Sequence, residues 1–169
     1  MNEGEDRYEF PDARPVQEAE RSPLLALVAA LAAGIVGGVV WGLIVKWSNY
    51  EVGIVAWAIG FIAGTAVVTV AGRARGPHLQ AIAVAGAVVG VLLGKYLSFA
   101  FAVQEDAESI GVSLGVLSSE MFRFFRENLG DVFSLFDLLW IGLAVFTAWR
   151  IPGEAQPAAS PPPADELER

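Results

Sequence analysis

The sequence predicts an all-α protein, a four-transmembrane-helix bundle with an amphipathic interfacial helix between the third and fourth spans. Three observations carry that expectation. The chain has 169 residues, 54% hydrophobic and only 18% charged, whereas soluble domains run nearer a quarter charged. Its apolar residues are gathered into a few long blocks, each of a length that crosses a hydrocarbon core of about 30 Å at about 1.5 Å per helical residue. Inside those blocks glycine recurs at intervals of four: Gly34, Gly38 and Gly42, then Gly60 and Gly64 with Gly53 ahead of them, then Gly86, Gly90 and Gly94. A spacing of four keeps these positions on one helix face. Each glycine costs a helix in water about 1 kcal/mol relative to alanine. In lipid, small residues at this spacing let two backbones approach closely, and that packing is what draws membrane helices together. The rows read as glycine zippers.

Taken in order, residues 1–22 form an acidic tail (Glu3, Glu5, Asp6, Glu9, Asp12, Glu18 and Glu20) with no apolar period, expected to be disordered. A signal peptide starts short and basic, so the first apolar block is expected to remain as an anchor. The membrane domain is expected over 23–151. Its first span covers 24–45 and is followed by Lys46, Trp47 and Tyr50, a cation and two amphipathic aromatics suited to the headgroup level. The second span covers 52–70 and ends in a basic loop holding Arg73, Arg75 and Pro77. The third covers 79–102, with Lys95 and Tyr96 in its last turns.

Residues 103–131 are too polar to span. Ile110, Leu114, Leu117, Met121 and Phe124 repeat at helical spacing, with Phe122 and Phe125 widening the stripe. That pattern predicts an amphipathic helix over 108–129, lying in the interface or capping the bundle. The fourth span covers 132–149, closed by Trp149 and Arg150, and a proline-rich tail is expected over 152–169. Counting Lys and Arg near span ends places Arg7, Arg14, Arg21, Arg73, Arg75, Arg150 and Arg169 on one side against Lys46, Lys95, Arg123 and Arg126 on the other. The positive-inside rule then puts both termini in the cytoplasm, with the protein in the cell membrane.

Residues 33–42 match 85–94 at an offset of 52, all three row glycines being kept. A repeat of this kind hints at a transporter. The fourth span has only Gly142 to mirror the glycines of the second, so convergent packing is the simpler account.

Tyr50-Glu51-Val52-Gly53, the Ala56, Gly60, Gly64 row, the arginine-glycine loop, Gln80-Ala81-Ile82-Ala83 and Gly94-Lys95-Tyr96 together resemble a pattern of small bacterial multi-pass inner-membrane proteins of unknown function. Asp137-Leu138-Leu139-Trp140, with Leu143, Ala144 and Ala148, is similar to their closing segment. The likeness spans about residues 30–150. It implies a shared four-helix architecture and carries over no activity, substrate or catalytic residue.

The polar residues at membrane depth are the candidate sites. A charge buried in lipid costs about 2.5–3.5 kcal/mol on insertion scales, so a partner is expected. Lys95 and Asp137 fall at similar depth on antiparallel spans and form a candidate intramembrane ion pair. The alternative has Lys95 snorkelling outward while Asp137 caps its helix or faces water. Glu51 stands at the start of the second span, where a carboxylate suits the positive end of the helix dipole or marks a polar path.

Several chemistries find no residues. The chain has no cysteine and a single histidine, His78, so zinc sites and thiol chemistry have no ligands. The serines lack a general base at a recognisable spacing, no nucleotide loop is present, and no cofactor is implied. The net charge of −8 leaves no basic stripe for nucleic acid. The sequence therefore points to a non-enzymatic structural or accessory membrane protein, with lipid and either a second copy or another membrane protein as partners. A small transporter or channel, using polar residues near the outer span ends, is the alternative.

Overall fold

The computed structural model describes residues 22–48, 53–72 and 74–154. Among these the chain is helical and contains no strand: α1 Pro23–Ser48, α2 Ile54–Ala71, α3 Pro77–Ser109, α4 Ser119–Glu127, α5 Leu129–Val132 and α6 Leu135–Gly153. Four of them, α1, α2, α3 and α6, are long and apolar enough to cross a membrane. α2 and α3 form the middle of the bundle, while α1 and α6 take the outer places, each packed on both. α1 and α3 run parallel, as do α2 and α6. The bundle therefore has a proximal end, where α1 begins and α6 ends, and a distal end carrying α4 and α5.

Alanine and glycine make this arrangement dense. At the proximal end Ala26, Ala30, Ala63, Val67, Ala83, Ala87 and Ala148 form one core cluster. At the distal end Trp41, Ala56, Ile59, Val91 and Ala144 form a second, with Trp140 against it.

Element boundaries differ from the sequence expectation in instructive ways. α1 continues to Ser48, whose hydroxyl donates to Ile44 O at 2.7 Å, so Lys46 and Trp47 sit on the helix rather than after it. α2 starts at Ile54, with Gly53 as its N-cap. α3 runs well past residue 102, to Ser109. Gln104, Glu105, Ala107 and Glu108 are sound helix formers, and loss of hydrophobicity ends a span without ending a helix. Gly111, at φ +77°, then turns the chain, a conformation that favours glycine.

The amphipathic helix over 108–129 is corrected accordingly. Glu108 and Ser109 belong to the end of α3, Ile110, Leu114 and Leu117 lie in the loop after it, and the separate helix is Ser119–Glu127, capped by the Ser118 side chain accepting from Met121 N. Met121 and Phe125 are buried by this packing. Phe125 meets Tyr96 and Phe99 of α3 edge-on, with centroids 5.2 and 5.6 Å apart. The helix thus caps α3, and Phe122 and Phe124 also meet Tyr96 and Phe99 while staying about half exposed. The fourth span begins at Leu135, behind the Ser134 cap, and its last turn accommodates Pro152 instead of breaking at it.

Candidate functional site

The glycine rows face one another inside the chain. A Cβ built at Gly34 would collide with the carbonyl oxygen of Gly86, one at Gly38 would lie 2.5 Å from Gly90 O, and one at Gly90 would lie 2.5 Å from Gly34 O. Gly86 meets Ala30 in the same manner, while Gly94 lies under the Trp41 ring and Gly42 against Leu97. α1 and α3 therefore lie backbone to backbone, and the offset of 52 between their rows is the register in which they touch. Gly60 and Gly64 receive Ala144 and Ala148 of α6, and Gly53 receives the Trp140 ring. Gly142, the one glycine in the middle of α6, has open space around it. All nine row glycines abut atoms of this same chain.

One helical step beyond Gly94 comes Lys95, only 2% exposed. Its Nζ lies 2.9 Å from Asp137 Oδ1 and 5.6 Å from the Phe133 ring centroid. The other carboxylate oxygen of Asp137 accepts from Ser134 N at 2.8 Å and from Ser134 Oγ at 2.7 Å. In return Ser134 Oγ accepts from Asp137 N, which completes a capping box. Asp137 thus caps α6 and pairs with Lys95 at once, uniting two roles that the sequence presents as alternatives. A Ser-x-x-acid spacing before an apolar run is a helix-start signal, and Ser134–Asp137 carries it.

Below this pair Ser98, 7% exposed, donates to Gly94 O at 2.9 Å. Lys95 and Ser98 line an open cavity of about 320 Å³ together with Asn128 and Asp131. A second cavity, of about 640 Å³, shares Val45, Ser98 and Ala102 with the first and reaches Lys46, Glu105, Asp106 and Glu108. Lys46 Nζ stands 4.8 Å from the Phe101 ring centroid. The indole N–H groups of Trp41 and Trp140, both in the distal core, are buried without a hydrogen-bond partner.

Other polar ties escaped the sequence reading because each joins residues far apart in the chain. Trp57 Nε1 donates to Thr147 Oγ1 at 3.0 Å, linking α2 to α6. Tyr96 Oη donates to Val116 O at 2.6 Å and pins the loop ahead of α4. At the proximal end Arg75 donates to Gly72 O at 2.8 Å and to Glu154 O at 3.1 Å, bridging the C-termini of α2 and α6, where the helix dipoles favour a cation. Gln80 Nε2 donates to Trp149 O at 3.0 Å beside it.

Thr65 and Thr69 bond back to the carbonyls of Phe61 and Thr65, both at 2.8 Å. His78 is exposed in the first turn of α3. Glu51, the candidate for a polar path, lies outside the described residues. No protein-family model, curated protein or solved structure matches this chain.

Proposed function

We propose that the chain is an integral membrane protein with a structural or accessory role: a four-span anchor closed by its own glycine and alanine faces, holding the far end of α3 and α4 at one membrane surface. The observation that carries this is where the buried polar groups stop. Lys95 and Ser98 are the buried polar side chains of the described residues, and both lie at the distal end. The proximal half is filled by Ala26, Ala30, Ala63, Ala83, Ala87 and Ala148, all at most 1% exposed. A conducting path would need polar groups or space through that cluster, and an alanine–glycine core in backbone contact supplies neither.

On this reading the protein has no enzymatic activity, and both termini face the cytoplasm of the multi-pass bacterial type that the sequence resembles. A partner, a second copy or another membrane protein, would engage surfaces other than the glycine rows. The test is ion and small-solute flux across liposomes holding the purified chain. Flux no greater than that of empty liposomes is expected, and flux that Lys95→Met abolishes would replace this reading with a transporter. That second reading draws its support from the cavity against which Lys95 and Ser98 lie. A reporter fused after Arg169 that is active only outside the cytoplasm would reverse the orientation.

A further inference from the structure

The two distal cavities share Val45, Ser98 and Ala102 and so make one cleft, open between the end of α1 and the part of α3 beyond Tyr96. Its walls differ in charge. Lys46 of α1 lies on one side, and Glu105, Asp106 and Glu108 of α3 lie on the other. Lys95 is neutralised by Asp137 at 2.9 Å, so Glu105, Asp106 and Glu108 outweigh Lys46, whose ammonium also lies 4.8 Å from the Phe101 ring centroid. Val45, Phe101 and Ala102 supply an apolar side. Lys46 and Trp47 close α1, and a cation beside an amphipathic aromatic at a span end suits the headgroup level.

We propose that this cleft binds a zwitterion joining a phosphate to a primary ammonium, the phosphoethanolamine group that a bilayer lipid carries. The phosphate takes Lys46, and the ammonium donates to Glu105, Asp106 and Glu108, while Val45 and Phe101 face the glycerol and the first methylenes. A primary ammonium has three N–H donors for carboxylates, whereas the quaternary ammonium of choline has none. A net anionic headgroup meets like charge on the α3 wall. The cleft therefore ranks ethanolamine above choline and choline above glycerol headgroups. The proposal rests on the membrane reading above.

The full chain is reconstituted in phosphatidylcholine vesicles in which either phosphatidylethanolamine or phosphatidylglycerol replaces part of the lipid, and thermal unfolding is followed by tryptophan fluorescence. Binding to the folded state raises Tm by mass action. A rise of about 3 °C or more with phosphatidylethanolamine is expected, and none with phosphatidylglycerol. Lys46→Met, and the triple variant Glu105→Gln, Asp106→Asn, Glu108→Gln, should lose the rise, each measured against its own Tm in phosphatidylcholine. Soluble glycerophosphoethanolamine added to phosphatidylcholine vesicles separates the sources: no effect assigns the site to lipid, and a rise abolished by the same variants assigns it to the free zwitterion. Equal Tm in the three lipids, a larger rise with phosphatidylglycerol, or a rise the variants retain overturns the proposal. A chain that stays in solution without detergent overturns the membrane reading, and the site falls with it.

Discussion

Along α1 and α3 the packing changes character between Gly90 and Lys95. On the proximal side helices touch through backbone, with Gly34, Gly86 and Gly90 leaving no room for even a methyl group. On the distal side they touch through large and polar side chains: Trp41, Lys95, Asp137 and the Tyr96–Phe125 pair. The first kind of contact draws on close van der Waals packing and has no tolerance for added atoms. The second draws on one compensated charge pair and a few hydrogen bonds, which tolerate isosteric change and fail when one partner is removed. The two halves of one bundle should therefore break in different ways.

The largest effect is expected at Gly34. A valine there meets the Gly86 carbonyl, backbone that cannot step aside, so Gly34→Val should cost at least about 3 kcal/mol or prevent assembly. Denaturant unfolding in detergent reads this directly. Gly142→Val, facing open space on α6, is the matched control and should change little. If the two variants behaved alike, the backbone-contact account of the proximal half would fail.

Next comes the charge pair. Lys95→Met leaves the half-buried Asp137 carboxylate, 14% exposed, without its counter-ion, and breaking a pair of which only the lysine is fully buried should cost about 2–3 kcal/mol. Exchanging the two, Lys95→Asp with Asp137→Lys, should recover part of that loss. Recovery should fall short by about 1 kcal/mol, because lysine at position 137 cannot rebuild the capping box with Ser134. Complete recovery would mean that the cap contributes nothing, and no recovery that the pair is incidental.

Smaller effects distinguish the two ends further. Arg75→Ala removes the bridge between the C-termini of α2 and α6 and should cost about 1–2 kcal/mol, while leaving the distal end undisturbed. Proteolysis near residue 154 would rise before α4 is affected. Ser118→Ala should cost about 1 kcal/mol, confined to α4, and hydrogen exchange along 119–127 would report it. Smallest is a pH effect on the same helix. Hydrogen bonds from its own backbone N–H and from the Ser119 hydroxyl hold the Glu120 carboxyl below its ordinary value. A carboxyl with a lowered folded-state pKa stabilises above the unfolded value, and that contribution is lost as pH falls through the folded one. Protection factors in α4, with the intrinsic pH dependence of amide exchange divided out, should fall on acidification, and less so in Glu120→Gln.

Much of the architecture was legible because the bilayer imposes lengths. Blocks of apolar residues gave four spans, and spacings of four gave the faces of α1, α2 and α3 that turn inward. The partner of each face was not legible. Nothing in Gly60 or Gly64 says that Ala144 and Ala148, rather than another glycine row, will cover them, since alanine at that spacing is also common in any helix. The 110–118 loop mimics a helix in sequence for a related reason: Ile110, Leu114 and Leu117 keep helical spacing, and the turn at Gly111 interrupts the helix without interrupting the period. Lys95 and Asp137 could be matched by depth alone, because two opposite charges in hydrocarbon have few other ways to be satisfied. The capping role of Asp137 is a local signal, three residues after Ser134, and it coexists with the ion pair because the carboxylate has two oxygens to share.

The most direct test of the central claim uses the protein unaltered. In bilayers, solid-state NMR on chain labelled with carbon-13 at glycine should show cross-peaks from Gly34 to Gly86 and Gly90, and from Gly38 to Gly90. Their appearance is what backbone contact between α1 and α3 requires. If those glycines correlated only with lipid acyl chains, the helices would not be joined through them and the account would be wrong.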